Sequence, residues 1–365
     1  MTLRYAVVPM LVISSLFYPF LSLSGGPGMS LEEIVRGKKH HGKDGRFFNP
    51  WCPDCRRSTI EFLKWRFSKN PYREEKKNEA GFDAVRPDFS SLDNDTGRAG
   101  QLAGPAGPPA GHAGYAVWLG HATVFIKAGG KAIITDPVLW DISFFLKRKT
   151  PFPVEPERLP HIDYVLISHG HYDHLDTKSV RFLKERFDPV FITAPGYESY
   201  FKSIGVSKHI ALDWWEEYAD GDLRIRALPV QHWSKRGLFD TDTMLWASFL
   251  IGHGSKKYYW IGDSGYFEGL KEIGEKFGPM DVMFAPIGAY EPRWFMKTYH
   301  MNPEEALQAA SDARAKVFIP IHWGTFDLTD EPLSQPLERL RGAYKEGNGP
   351  LALKILGHGG HIVVP

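Results

Sequence analysis

The chain has 365 residues, 43% of them hydrophobic and 14% aromatic, which is ample for the buried core of one large or two ordinary domains and excludes a disordered chain. Its 44 basic and 43 acidic side chains leave a formal net charge of +1. No broad positive field exists to gather a polyanion, so nucleic acid is disfavoured as the main partner, and only a local basic patch could attract one.

The chain opens on an apolar segment. From Tyr5 to Leu23 there is no charged residue, and Val7, Leu11, Ile13, Leu16, Phe17, Phe20 and Leu21 place apolar side chains on every helical face, over about the length that crosses a hydrocarbon layer. With Arg4 ahead of it and Ser22, Ser24, Gly25 and Gly26 behind, residues 1–26 read as either a cleavable export signal or an uncleaved membrane anchor. Membrane association through this segment is the expectation. Lys38, Lys39, Lys43 and Arg46 downstream leave its orientation open between the exported and the cytoplasmic face.

Residues 27–114 read as an amino-terminal arm and linker. The two cysteines of the chain lie here, in Cys52-Pro-Asp-Cys55, a spacing open to a redox couple, half a zinc site, a local disulfide or no role; the lack of a second pair favours a structural or incidental role. Between Phe62 and Lys77 the cations Lys64, Arg66, Lys69, Arg73, Lys76 and Lys77 alternate with Phe62, Trp65, Phe67 and Tyr72. That pattern suits an anionic membrane face or partner, and equally a solvated helix lying on the body. From Asp93 to Gly114 the chain is rich in Gly, Ala, Pro and Asp, too poor in large apolar side chains to offset its ordering entropy.

From Tyr115 to the end, residues 115–365, the pattern is that of one α/β domain. Tyr115–Leu119, Val124–Lys127, Ala132–Thr135 and His161–Ile167 read as strands, followed by a helix over Thr177–Phe187. Further strands are expected at Pro189–Thr193, Leu223–Leu228, Leu245–Ile251, Tyr258–Ile261, Val282–Ala285 and Val317–Ile319, with helices at Phe267–Phe277 and Pro303–Ala313. The last helix carries Asn302 as cap, Pro303 at its first position and Glu305 placed for a capping box. Strands in runs broken by helices predict two sheets covered by helices.

The strand ends carry the chemistry. Ser168-His-Gly-His-Tyr-Asp-His-Leu-Asp176 sets His169, His171, Asp173 and His174 on a loop straight after an apolar run. Imidazole and carboxylate are the ligands that zinc, iron and manganese accept at neutral pH, and four in so short a stretch exceed what one catalytic ion takes, which implies a second ion nearby. His232, Asp263 and His322 each stand where a later apolar run stops, so all seven could converge on one edge.

The order His169-x-His171-x-Asp173-His174, then His232, Asp263 and His322, resembles the metallo-β-lactamase superfamily. Within it, Trp118-Leu-Gly-His-Ala-Thr123, Gln231-His-Trp233, Gly262-Asp-Ser-Gly-Tyr266, Pro286–Met296 and His322-Trp-Gly-Thr-Phe326 resemble the N-acylphosphatidylethanolamine-hydrolysing phospholipase D family. The likeness runs from about Tyr115 to Phe326, with Tyr299 standing where a glutamine is expected. It implies an α/β fold, the αββα sandwich of two sheets flanked by helices. It further implies two Zn2+, although other divalent transition metals are open, one held by His169, His171 and His232 and the other by Asp173, His174 and His322, with Asp263 bridging. Asp263 and His300 are then the expected catalytic residues, His300 contacting the phosphate or protonating the leaving oxygen, with His121 supporting the ligands from behind. Water activated by the ions would attack a phospholipid substrate at a membrane, giving phosphatidic acid and N-acylethanolamine without a side-chain nucleophile. Trp214, Trp215, Trp233, Trp294, Phe295 and Phe326 are candidates for an acyl-chain groove or, as large aromatics, for ordinary core. The resemblance leaves a homodimer open. A metal-dependent lactonase or other carboxylic-ester hydrolase and a non-catalytic membrane-anchored binding protein are the alternatives.

Overall fold

The computed structural model describes residues 30–55, 59–94, 114–344 and 350–364. The apolar leader and nearly all of the Gly/Ala/Pro-rich stretch lie outside them. Among the described residues no helix is long and apolar enough to cross a membrane.

Two seven-stranded sheets face each other. The first is built from β1 (Gly114–Gly120), β2 (Thr123–Ala128), β3 (Lys131–Thr135), β4 (Tyr164–Leu166), β5 (Val190–Thr193), β6 (His209–Ala211) and β14 (His361–Val364), in the spatial order β14-β1-β2-β3-β4-β5-β6. The second contains β7 (Glu217–Asp220), β8 (Leu223–Leu228), β9 (Ser248–His253), β10 (Lys256–Trp260), β11 (Met280–Pro286), β12 (Ala315–Ile321) and β13 (Ala352–Leu353), in the order β13-β12-β11-β10-β9-β8-β7. Each sheet is antiparallel on one side and parallel on the other, the change falling at β3 in the first and at β10 in the second.

The strands are apolar throughout because both faces of each sheet are covered. Every residue of β1 is buried. Ala116 and Trp118 point into the core between the sheets, whereas Tyr115, Val117 and Leu119 point to the outer layer. There the Thr177–Phe187 helix seats Val180 and Leu183; its first turn is closed by Asp176, which accepts from the Ser179 amide at 2.8 Å. On the outside of the second sheet the Gly269–Phe277 helix contributes Leu270 and Ile273, and the Pro303–Asp312 helix contributes Ala306, Ala309 and Ala310. The predicted capping box at Asn302 and Glu305 is formed. Gly274 lets those two helices touch, since a Cβ there would sit 2.0 Å from the Asp312 carbonyl. This is an αββα sandwich of two mixed sheets flanked by helices.

Most predicted elements recur with shifted ends. The Leu245–Ile251 expectation starts too early: the amides of Leu245 and Ala247 bond Pro195 and Ser168 in the other half of the molecule, and the ladder begins only at Ser248. Edge strands β6, β7, β13 and β14 escaped the sequence reading because half-exposed strands such as Glu217-Tyr-Ala-Asp220 have no apolar run.

The arm is tied to the body. Leu31 and Ile34 are buried, and Glu272 accepts from the backbone amides of Leu31 and Glu32. Further on, His40 and His41 donate to the two oxygens of Asp213, at 2.7 and 2.8 Å, while His40 stacks on Trp214. The segment Thr59–Phe67 is a helix that packs Trp65 on Phe295, with ring centroids 5.1 Å apart. Cys52 and Cys55 are joined in a disulfide.

Candidate metal centre

All the predicted ligands lie beyond the carboxyl ends of strands, where open α/β sheets bind ligands. The loop after β4 supplies His169, His171, Asp173 and His174; residues just past β8, β10 and β12 supply His232, Asp263 and His322. The structure brings all seven together. His169, His171 and His232 offer ring nitrogens that lie within 4.8 Å of one another, and the ring nitrogens of His121, His174 and His322 lie within the same distance of one another and of an Asp173 carboxylate oxygen.

The donor set fits metal ions. His169 Nε2 stands 2.8 Å from His171 Nδ1, His232 Nε2 3.3 Å from that same atom, and His322 Nε2 3.3 Å from His174 Nε2. With Nδ1 of His169 and of His232 engaged by Ser168 Oγ and the Tyr299 carbonyl, their Nε2 atoms are left as lone pairs converging with His171 Nδ1, and a shared cation is what such an arrangement accommodates. Asp263 presents Oδ2 to His174 Nε2 and Oδ1 to His322 Nε2, both at 3.2 Å, and also forms a group with His232 and His300. Its Oδ1 is buried with no hydrogen-bond partner, as expected of a ligand oxygen.

Burial pushes His169 and His232 well below the ordinary imidazole value, so both are neutral as ligation requires. Burial works the same way on His174, but Asp263, Asp173 and Asp136 outweigh it and hold its ring well above that value. Asp173 and Asp263 are held well below the ordinary carboxylate range: burial opposes this, and the facing histidines prevail.

A second set of groups aims the ligands. Asp136, fully buried just past β3, accepts from the Ser168 amide at 2.8 Å and the Ser168 hydroxyl at 2.6 Å, and its Oδ2 lies 2.5 Å from His174 Nδ1. Ser168 Oγ in turn meets His169 Nδ1 at 2.8 Å. His121 Nε2 meets Asp173 Oδ2 at 3.0 Å, while the His121 carbonyl accepts from the His322 amide. Such partners fix tautomer and ring orientation. Backbone strain collects at these positions, with φ of 53° at His121, 62° at His322 and 31° at Asp136.

His300 approaches from the loop before the Pro303–Asp312 helix, its Nδ1 3.8 Å from Asp263 Oδ2. Arg293 holds that loop, donating to the His300 carbonyl at 2.9 Å and to Glu305 through its other nitrogen. Of the six aromatics considered for a groove, Trp233 lies edge-on to His171 and Phe326 to His121, at 4.6 and 5.1 Å. Trp294 and Phe295 form a surface cluster with the Thr59–Phe67 helix. Trp214 is core, its indole bonded to the Trp246 carbonyl, and Trp215 packs on Phe277.

Asp136, Ser168 and Arg293 were missed from sequence, as was Asn49, whose amide donates to the His232 carbonyl at 2.8 Å and accepts from Trp246 at 3.0 Å. Asp136 did carry a signal, since it is a polar residue where an apolar strand stops, the mark that singled out Asp263.

Residues 131–323 match the model of the beta-lactamase superfamily domain. The chain is 38% identical over 244 residues to the N-acyl-phosphatidylethanolamine-hydrolyzing phospholipase D 1 of Caenorhabditis elegans, covering 62% of this chain and 68% of that one. The chain belongs to the N-acylphosphatidylethanolamine-hydrolysing phospholipase D family of that superfamily. It is also 36% identical over 237 residues to the mitochondrial N-acyl-phosphatidylethanolamine-hydrolyzing phospholipase D of Saccharomyces cerevisiae, over 62% of this chain but about half, 51%, of the yeast protein. Solved structures agree on the fold. A metallo hydrolase from Ignicoccus hospitalis superposes with a TM-score of 0.53 at 20% identity, over 69% of this chain and 99% of that one. An isothiocyanate hydrolase from Delia radicum gut bacteria gives 0.55 at 17%, over 68% and 98%. The protein is a metal-dependent hydrolase of the metallo-β-lactamase superfamily.

Proposed function

We propose that the protein is a phosphodiesterase of the phospholipase D type, hydrolysing N-acylphosphatidylethanolamine to phosphatidic acid and N-acylethanolamine with two zinc ions. The observation that carries the reading is the seven-ligand cluster with His300 beside Asp263, in a chain 38% identical over 244 residues to a worm protein named for that reaction. His169, His171 and His232 would hold one ion, Asp173, His174 and His322 the other, and Asp263 both. Such ions lower the pKa of water to near neutrality and neutralise charge on phosphoryl oxygens. The protein's own part is to orient and to move a proton. Asp136, Ser168 and His121 keep the ligand rings and the Asp173 carboxylate aimed, and Arg293 fixes the backbone of His300. From there the His300 ring can hydrogen-bond the phosphoryl group or protonate the leaving ethanolamine oxygen.

A lipid substrate also needs an apolar approach. Among the described residues, large hydrophobic side chains are exposed at Ile60, Phe62, Phe67, Phe144, Phe145, Tyr172, Leu238, Phe239 and Trp294, with only Val85 and Val363 besides. Tyr172 sits on the metal loop, Leu238 and Phe239 on the 236–240 loop that grips it through Arg236, Phe144 and Phe145 on the 141–148 loop behind Phe326, Ile60, Phe62 and Phe67 on the helix packed on Phe295, and Trp294 next to Phe295 itself. Exposed apolar groups on segments tied to one site mark a surface that meets a membrane or another apolar partner, and we take that partner to be the membrane.

The test is hydrolysis of N-acylphosphatidylethanolamine in 18O-labelled water. Label is expected in phosphatidic acid, since attack at phosphorus leaves the ethanolamine oxygen unlabelled. Label in the N-acylethanolamine would refute the mechanism, and inactivity on lipid diesters with rapid opening of lactones would transfer the function to carboxylic-ester chemistry. His300→Ala is expected to slow turnover by about 10²–10⁴-fold, the range of general acid–base catalysis, with metal content unchanged.

A further inference from the structure

The disulfide of the arm reaches the metal cluster through a short chain of contacts. Cys52 and Cys55 close a loop in which the Cys52 amide bonds the Asn49 carbonyl at 3.0 Å and the Cys55 amide bonds the Cys52 carbonyl at 3.1 Å. The Cys55 carbonyl accepts the Tyr299 hydroxyl, and the Tyr299 carbonyl lies 3.1 Å from His232 Nδ1. The second contact fixes which nitrogen of His232 faces the cluster, where Nε2 stands 3.3 Å from His171 Nδ1. Two further links run in parallel. Asn49 donates to the His232 carbonyl, and Trp51 donates to Gln231 Oε1 at 3.0 Å while Gln231 donates to the Thr298 carbonyl at 2.8 Å. The disulfide loop thus grips the segment that bears Tyr299 and His300 through the Cys55 carbonyl, and Asn49 and Trp51 immediately before it grip the strand end that bears His232.

We propose that Cys52–Cys55 is a thiol–disulfide exchange site whose oxidised form holds Tyr299, and through it the metal ligand His232, in place. The loop is open to a reductant: both cysteines are half-exposed, and Pro53 and Asp54 between them are exposed. Its co-substrate is a dithiol. One thiolate attacks a cysteine sulfur and breaks the S–S bond, the second thiol resolves the mixed disulfide, and the two cysteines take up two electrons and two protons as the dithiol becomes a disulfide. Opening the loop returns conformational freedom to residues 52–55, so the Cys55 carbonyl is no longer fixed beneath the Tyr299 hydroxyl. The inference rests on His232 being a metal ligand and not on the choice of lipid.

The experiment compares the full-length zinc protein as isolated with the same protein reduced by tris(2-carboxyethyl)phosphine, which converts the disulfide and water to two thiols and phosphine oxide and avoids thiols that would bind zinc. Hydrogen exchange of residues 229–233 and 297–301 and the rate of zinc release to a chromogenic chelator are followed in both states. Reduction is expected to speed exchange in both segments and to weaken zinc retention by about 10-fold, the lower end of what lost support costs a metal ligand, and reoxidation should restore both. A Cys52→Ser, Cys55→Ser variant should match the reduced protein whether or not phosphine is present. Unchanged exchange in the reduced wild-type chain would overturn the proposal, as would phosphine acting equally on the double variant. Exchange is blind to substrate, so a redox effect in a protein inactive on phospholipid would keep this inference and remove the lipid reading.

Discussion

Asp263 and Asp136 make the sharpest single-residue contrast in the molecule, since both are buried carboxylates at strand ends and they face opposite sides of the same histidine. Asp263 meets His174 at Nε2 and His322 on its other oxygen, so its removal takes a ligand from the cluster itself. Asp263→Ala is expected to drop metal content from about two ions per chain to one or none and to abolish turnover with little loss of folded yield, which metal analysis beside circular dichroism would check. A stoichiometry of one in active wild-type enzyme would refute its bridging role. Asp136 acts from behind, on Nδ1 of His174 and on Ser168, so Asp136→Ala should leave the ligand set complete but loosen it, costing roughly 10–100-fold in zinc affinity or turnover. An unchanged zinc titration would reduce Asp136 to a packing role. The seven positions that converge were legible in the sequence because an imidazole or carboxylate just past an apolar run is locally conspicuous. Asn49 was not, since it meets His232 across 183 residues of chain and nothing near it in sequence announces that contact.

At the level of elements, the amino-terminal arm shows what a period-based reading misses. The β-strands and the capped helix announced themselves by apolar runs and by Asn302 and Glu305, but the arm is held by isolated polar anchors, each of which looks like an ordinary surface residue in sequence. Its principal anchor is the His40–Asp213–His41 clamp, in which His40 has no exposed side-chain surface. Asp213→Ala would leave His40 buried without its acceptor, at a cost of about 1–3 kcal/mol, measurable as a lower midpoint in denaturant with an unchanged slope. The clamp also gives stability a pH dependence. Burial, working against Asp213, keeps the His40 ring below its ordinary value of 6.5, so below about that pH the unfolded chain binds a proton that the folded chain refuses, and stability falls as the solution becomes more acid. The Asp213 carboxyl is held well below 3.8, burial opposing and the bond from His40 prevailing, so its share of stability is present above about pH 4 and is lost as the pH falls further. Replacing His40 with glutamine should flatten the decline of the melting temperature between about pH 6.5 and 5; an unaltered profile would mean that other buried histidines, such as His358, carry the acid response.

For the whole molecule, the arrangement of the sandwich decides what the exposed aromatics can do. Every ligand lies beyond strand carboxyl ends, and the loops on that side carry Phe144, Tyr172 and Phe239, with Trp294 and the helix bearing Ile60 and Phe67 beside them. Phe67 is 86% exposed and Phe239 73%, and Lys64 stands 5.0 Å over the Trp294 ring, a cation next to apolar groups as the proposed membrane contact requires. Full burial of a Phe or Ile side chain in an apolar phase contributes about 1.5–3 kcal/mol, so losing two such groups would weaken surface partitioning by up to about two to four powers of ten while leaving the metal cluster untouched. The double variant Ile60→Ser, Phe67→Ser is therefore expected to lose binding to vesicles containing N-acylphosphatidylethanolamine and to turn over that lipid more slowly in a bilayer. On a water-soluble phosphodiester its rate should equal that of the wild type. Equal loss on both substrates would mean that the helix supports the site directly, through Trp65 and Phe295, and no loss on vesicles would leave the leader segment as the means of membrane approach.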